Sequence, residues 1–220
     1  MQATSYLPVE KQQSFYHSTQ TVATVETYHS LFLPSMKILF DGGSWIRGVQ
    51  KGKKVIQEDE SFPYQMCQML NCDYDNHATP GGSNQKIVRH ILTKYDISNY
   101  DLAIFQFTCR SRFEWVKDGE WIRVAASRRH IFWDYFYKHI YNDQYGKTME
   151  KVHYETVRNA CKLHNVPCLI TTTDPKQDHI QYDFYLKNGN VKMYGGHPSA
   201  AGYKRIATDL VALLHQKNML

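Results

Sequence analysis

Apolar residues along the chain fall into short runs separated by polar turns, and the runs alternate between strand-like and helix-like spacing. Residues 37–40 (Lys-Ile-Leu-Phe) read as a first strand that ends in the turn Asp41-Gly-Gly-Ser44, with a helix or irregular turn starting at Trp45. The segment 53–75 is polar and mixed, although Tyr64, Met66, Cys67 and Leu70 recur at helical intervals. Residues 80–84 form a loop in which Ser83 or Asn84 caps a helix running to Leu92, with Ile87, Ile91 and Leu92 as its apolar stripe. Residues 101–107 (Asp-Leu-Ala-Ile-Phe-Gln-Phe) make the clearest central strand, and a polar turn follows at 108–114. Beyond it the pattern predicts a small hairpin at 117–124 around Asp118-Gly119, helices at 127–141 and 148–164, and a buried strand at 167–172. The last helix spans 199–215, with Ile206, Leu210, Leu213 and Leu214 on one face. This alternation predicts an α/β domain: a three-layer sandwich with a central parallel sheet of about five strands between helices. Residues 1–35 are rich in Gln, Ser, Thr and Tyr and lack periodicity. They read as an N-terminal extension (a flexible arm, an added strand, or sequence upstream of a start at Met36), with the folded domain at 36–220.

At 220 residues the chain can bury one substantial core, and its 42% hydrophobic and 21% charged content is globular. A formal charge of +5 suits an anionic substrate or a nucleic-acid surface, but equally an ordinary basic enzyme, so nucleic acid is the less favoured partner. Arg123, Arg128, Arg129 and His130 form a basic cluster that reads as a solvated face, with phosphate contact as the alternative. Five cysteines (Cys67, Cys72, Cys109, Cys161 and Cys168) are an odd, unpatterned set that fits buried thiols in a reducing compartment better than a disulfide framework. No apolar run is long enough to span a bilayer, and the first thirty residues lack the basic start and apolar stretch of a secretory signal. A cytoplasmic protein with no membrane partner is the expectation. The eleven histidines include no His-Glu-x-x-His arrangement, so no metal site is expected.

Candidate chemistry sits at the two ends of the domain. Ser44 stands in a glycine turn at the end of the first strand, and His197 stands in Gly195-Gly-His-Pro-Ser-Ala-Ala-Gly-Tyr203, just before the last helix. A serine hydroxyl is a poor nucleophile until a base takes its proton, so each residue acquires meaning from the other. Asp41 suits the first aspartate of a haloacid-dehalogenase phosphatase, but that chemistry needs a second aspartate two residues on, where Gly43 stands.

With these segments in this order, the chain resembles the SGNH/GDSL hydrolase superfamily over residues 36–215, and in particular its divergent bacteriophage members. The family's Gly-Asp-Ser-x-x-x-Gly block is matched by Gly42-Gly43-Ser44-Trp45-Ile46-Arg47-Gly48, with glycine in place of aspartate. Gly81-Gly82-Ser83-Asn84 is similar to the second block, whose glycine N–H serves the oxyanion hole, and Gly81 is the better match. The third block ends a strand with Gly-x-Asn-Asp; residues 108–114 stand there without the asparagine, which leaves Arg110, Ser111 or Arg112 as substitute donors. The last block matches from His197 onward, but Tyr194 and Gly195 occupy the usual aspartate places. Asp174, Asp178 or Asp183 could reach back as the orienting acid, and a Ser–His dyad helped by a backbone carbonyl is equally open. The resemblance implies an SGNH, flavodoxin-like sheet and a serine esterase acting on an acyl ester, acetyl esters included, of a carbohydrate or small metabolite. It implies Ser44 as nucleophile, His197 as base, the N–H groups of Ser44 and Gly81 with Arg110 or Arg112 at the oxyanion, and no cofactor. For a viral member, the cytoplasm would be the host's. Two rivals remain: an SGNH-fold binding protein that has lost the chemistry, and a phosphodiester- or nucleotide-directed hydrolase.

Overall fold

The apolar runs predicted as strands become the centre of one sheet. The computed structural model describes residues 35–48, 58–125, 131–173, 180–186, 193–194 and 197–220. Strands β1 (Lys37–Asp41), β2 (Asp73–Asn76) and β3 (Leu102–Phe107) are joined by β6 (Cys168–Thr172) and β7 (Phe184–Tyr185) in the order β2-β1-β3-β6-β7. Every pairing in this sheet is parallel. The polarity of the order reverses between β1 and β3, and such a switch point opens a crevice beyond the strands' carboxyl ends.

Side chains along β1 and β3 alternate between two cores, as the period of a strand requires. Ile38, Phe40, Leu102, Ile104 and Leu169 face helices α2 (Phe62–Leu70) and α6 (Ala200–Gln216), meeting Phe62, Met66, Tyr203, Ile206 and Leu210. Leu39, Ala103, Phe105, Phe107 and Ile170 face α3 (Asn84–Thr93) and α5 (Asp143–Leu163), meeting Ile87, Ile91, Val157 and Cys161. The result is the expected three layers. Helix starts are set locally: Ser61, Ser83, Asn142 and Ser199 each accept a backbone N–H of the helix they precede.

Several boundaries differ from the sequence expectation. The edge strand β2 (Asp-Tyr-Asp-Asn) lies in the segment read as polar and mixed, because an exposed edge carries no apolar signature. The hairpin is longer than expected: β4 (Phe113–Lys117) pairs with β5 (Glu120–Val124) around Asp118 and Gly119, which adopt φ 52° and 80°. The helix expected at 127–141 is α4 (Ile131–Tyr135) followed by a π-turn at Phe136–Ile140, and residues 126–130 lie outside the described ones. Helix α5 starts at Asp143 rather than 148, because Asn142 caps it. Of the cysteines, Cys109 is exposed and Cys72 half-buried, while Cys67, Cys161 and Cys168 are buried; all five are free thiols. The expectation for residues 1–35 concerns a segment that, but for Ser35, lies outside the described residues. No helix among the described residues is long and apolar enough to cross a membrane.

His153 on α5 gives the fold an acid dependence, because burial pushes its imidazole down from 6.5 to about 4. Below pH 6.5 the unfolded chain takes up a proton that the folded protein refuses, so this contribution to stability is present above 6.5 and is lost as pH falls toward 4. The urea midpoint is therefore expected to fall between pH 7 and 4.5, and His153→Leu to flatten that fall; an identical slope in the variant would refute the assignment.

Candidate active site

The turn after β1 is shaped by three close approaches. Gly42 lies flat on β3: a methyl group there would stand 2.7 Å from Cβ and 2.8 Å from the carbonyl oxygen of Gln106, and its φ is 155°. Gly43 then opens a single helical turn, α1 (Ser44–Arg47), whose first bond runs from Arg47 N–H to the Gly43 carbonyl at 3.1 Å. Gln106 Oε1 accepts the N–H of Ile46 at 3.3 Å, so the buried amide of β3 caps the same turn. Ser44 thus emerges at the carboxyl end of β1, over the switch point of the sheet.

His197 reaches it from the far end of the chain. It begins the short strand β9 (His197–Pro198), antiparallel to β8 (Met193–Tyr194), and Ser199 then caps α6. His197 Nε2 and Ser44 Oγ are 2.7 Å apart across 153 residues of sequence. With the ring proton on Nδ1, Nε2 accepts the serine proton, which is the direction general-base activation needs.

Gly81 and Gly82 stand on the other side of this turn. After β2 the backbone continues alongside β1, with His77 N–H bonded to the Phe40 carbonyl at 2.8 Å and Thr79 N–H to that of Gly42 at 3.1 Å. Gly82 packs against the Gly42 carbonyl, where a methyl group would come within 2.8 Å, and its N–H is used within the turn by Thr79 at 2.9 Å. Gly81 takes φ 72°, and among the described residues its N–H and that of Ser44 have no acceptor.

Three of the side chains expected to complete the site, Arg110, Arg112 and Asp183, have other partners. Arg110 binds Asp143 through Nε at 2.8 Å and Nη2 at 2.5 Å, lying against the first turn of α5. Arg112 donates to Thr108 Oγ1 at 2.6 Å. Among the described residues neither guanidinium is hydrogen-bonded to Ser44. The Asp183 carboxylate is taken up by Arg158, by Lys217 at 3.5 Å and by the N–H of Ile170 at 2.8 Å. Asp174 and Asp178 lie outside the described residues.

Two polar residues that matter here were not singled out for these roles in the sequence. Gln106 is one; its signal was a lone amide inside a fully buried strand. Asp41 is the other. Its fully buried carboxylate accepts Gly42 N–H at 2.7 Å, Lys86 Nζ at 2.7 Å and Tyr95 Oη at 2.7 Å, with His90 Nδ1 at 3.1 Å. Burial pushes its pKa up, but the hydrogen bonds from His90, Lys86 and Tyr95 and the Lys86 charge outweigh this and hold it below the usual range. A carboxylate so enclosed cannot meet a phosphoryl group, which argues against the phosphatase role. Lys86 and His90, four residues apart on one face of α3, supply the signal that was available.

No family model and no curated protein matches the sequence. Solved structures do. A carbohydrate esterase described as having divergent catalytic and non-catalytic binding functions at its active site superposes with a TM-score of 0.56 at 11% identity, covering 85% of this chain and 70% of that one. The acetyl xylan esterase Est2A from Butyrivibrio proteoclasticus gives 0.55 at 12%, covering 86% and 66%, so this chain spans about two thirds of that protein. A protein of the G-D-S-L family from Desulfitobacterium hafniense gives 0.51 at 12%, covering 81% and 99%. At such identities the likeness is one of fold: a parallel five-stranded sheet between helices, shared with these structures.

Breaking the Asp41–Lys86 pair from one side leaves an uncompensated buried charge, a loss of about 3–5 kcal/mol. Asp41→Ala and Lys86→Met should each destabilise by that order, and the double variant by less than their sum. Additive losses in urea titrations would show that the two groups are not coupled.

Proposed function

We propose that the protein is a serine esterase in which Ser44 is the nucleophile and His197 the general base, residues 36–220 forming the catalytic domain. The observation that carries this reading is the 2.7 Å contact between Ser44 Oγ and His197 Nε2 at the carboxyl end of β1. Oγ attacks the ester carbonyl as Nε2 takes its proton, and the imidazolium then returns that proton to the departing alcohol. Water repeats the sequence on the acyl-enzyme and releases the acid. The N–H groups of Ser44 and Gly81 receive the oxyanion; both lack internal acceptors among the described residues, and the Gly81 turn is held against the nucleophile turn by the Gly42 carbonyl. None of these steps calls for a cofactor.

An acyl ester of a carbohydrate or small metabolite, acetyl esters first, is the substrate class we assign. Its support is the fold shared with a carbohydrate esterase and an acetyl xylan esterase, together with a Ser–His pair at the carboxyl end of the parallel sheet. Glycine at position 43 and the absence of the third-block asparagine mark a divergent member of the superfamily.

Wild-type protein is expected to hydrolyse p-nitrophenyl acetate and to be labelled by a fluorophosphonate probe. Ser44→Ala should abolish both without shifting the urea midpoint, and His197→Ala should lower turnover by a factor of about 10³ or more. Wild-type hydrolysis no faster than that of Ser44→Ala across several acyl esters, with no labelling, would leave a binding protein as the better account.

A further inference from the structure

The β4–β5 hairpin brings a cation to the site that the sequence placed on a solvated face. Glu114 and Arg123 lie directly opposite one another in the hairpin register, the geometry in which opposite charges ordinarily pair. Here they do not. Glu114 is buried and gives both carboxylate oxygens to Arg89 of α3, at 2.9 and 3.1 Å. Its backbone N–H is also bound, to Gln85 Oε1 at 3.0 Å. Arg89 in turn lies over the Trp121 ring, 4.6 Å from its centroid, so the hairpin is anchored to α3 at two points.

Arg123 is left exposed, with neither a carboxylate nor a hydrogen-bond acceptor among the described residues. Its guanidinium nevertheless has a defined address. A methyl group on Gly81 would stand 3.4 Å from Arg123 Nη1. Gly81 belongs to the turn that packs on the Gly42 carbonyl, two residues before Ser44. A guanidinium presents several donors in a fixed fork suited to carboxylate and phosphate oxygens. The hairpin therefore holds an uncompensated fork beside the turn that borders the nucleophile.

We propose that Arg123 is a specificity-determining residue that binds an anionic oxygen group, carboxylate or phosphate, carried by the substrate close to its scissile ester. This rests on the esterase reading of Ser44 and His197. The exposure of Arg123 favours a substituent of the substrate over the oxyanion, for which the Ser44 and Gly81 N–H groups are available.

The test compares phenyl acetate, 4-acetoxybenzoate and 4-acetoxyphenyl phosphate as substrates of wild type, Arg123→Gln and Arg123→Lys. A lost charge-assisted hydrogen bond corresponds to about tenfold or more in binding. The ratio of kcat/KM for either anionic ester to that for phenyl acetate should fall about tenfold in Arg123→Gln, chiefly through KM, and recover in part in Arg123→Lys. Which anionic ester shows the larger fall distinguishes carboxylate from phosphate. A ratio that does not move in Arg123→Gln for either ester overturns the proposal. Calorimetric titration with the product 4-hydroxybenzoate and with inorganic phosphate separates the two readings. If wild type hydrolyses none of the esters, the esterase reading fails by itself. Arg123-dependent binding of 4-hydroxybenzoate or of inorganic phosphate would then still support the anion site, and binding of both equal in wild type and Arg123→Gln would end it.

Discussion

The site depends on one buried carboxylate. Asp41 closes β1 on the face that α3 covers, and its oxygens face the Gly42 N–H, Lys86, Tyr95 and His90. That set ties the Ser44 turn to α3 through two side chains one helical turn apart. The same helix begins at Asn84, whose amide accepts the Thr108 N–H at 2.8 Å and donates to the Thr108 carbonyl at 3.2 Å. One rigid helix therefore fixes the carboxyl ends of both β1 and β3. A charge buried this completely contributes more to a defined arrangement than to net stability, since its desolvation offsets much of its attraction.

The parts of this arrangement that were legible in the sequence are those set by local chemistry. Glycine turns, serine caps and uninterrupted apolar runs declare themselves within a few residues, so β1, β3, β6, α3 and α6 and the turns bearing Ser44 and Gly81 could be located directly. What escaped was decided at long range. Strand β2 is polar because it is an edge, and β7 has only two residues. Arg110 looked like an oxyanion donor from its place after β3, but Asp143, 33 residues on, captures it. Asp41 and Gln106 acquire their roles from α3 and from the Ser44 turn, and no window of sequence contains both partners.

The hairpin after β3 is joined to the domain differently from everything else near the site. One of its faces meets α3 through Glu114 and Arg89, while Phe113 and Trp115 on the other meet Trp133, with ring centroids 5.4 and 6.0 Å away. Its hydrogen-bond ladder is its own, separate from the five-stranded sheet. The Ser44–His197 pair and Arg123 thus rest on separate supports, the first on the sheet and the second on an appended ribbon.

The stretch from Asn76 to Gly82 has no such independence. Because its N–H groups at His77 and Thr79 continue bonding to Phe40 of β1 and to Gly42 just beyond it, the Gly81 turn is metrically a prolongation of the sheet. A strand advances about 3.3 Å per residue, so one residue gained or lost there would displace the Gly81 N–H by more than the length of a hydrogen bond. The separation of the Gly81 N–H from Ser44 is consequently counted out in residues. Across divergent descendants of this chain the length of that segment should stay constant even where its side chains drift, while the ribbon beyond β3 is free to lengthen or shrink.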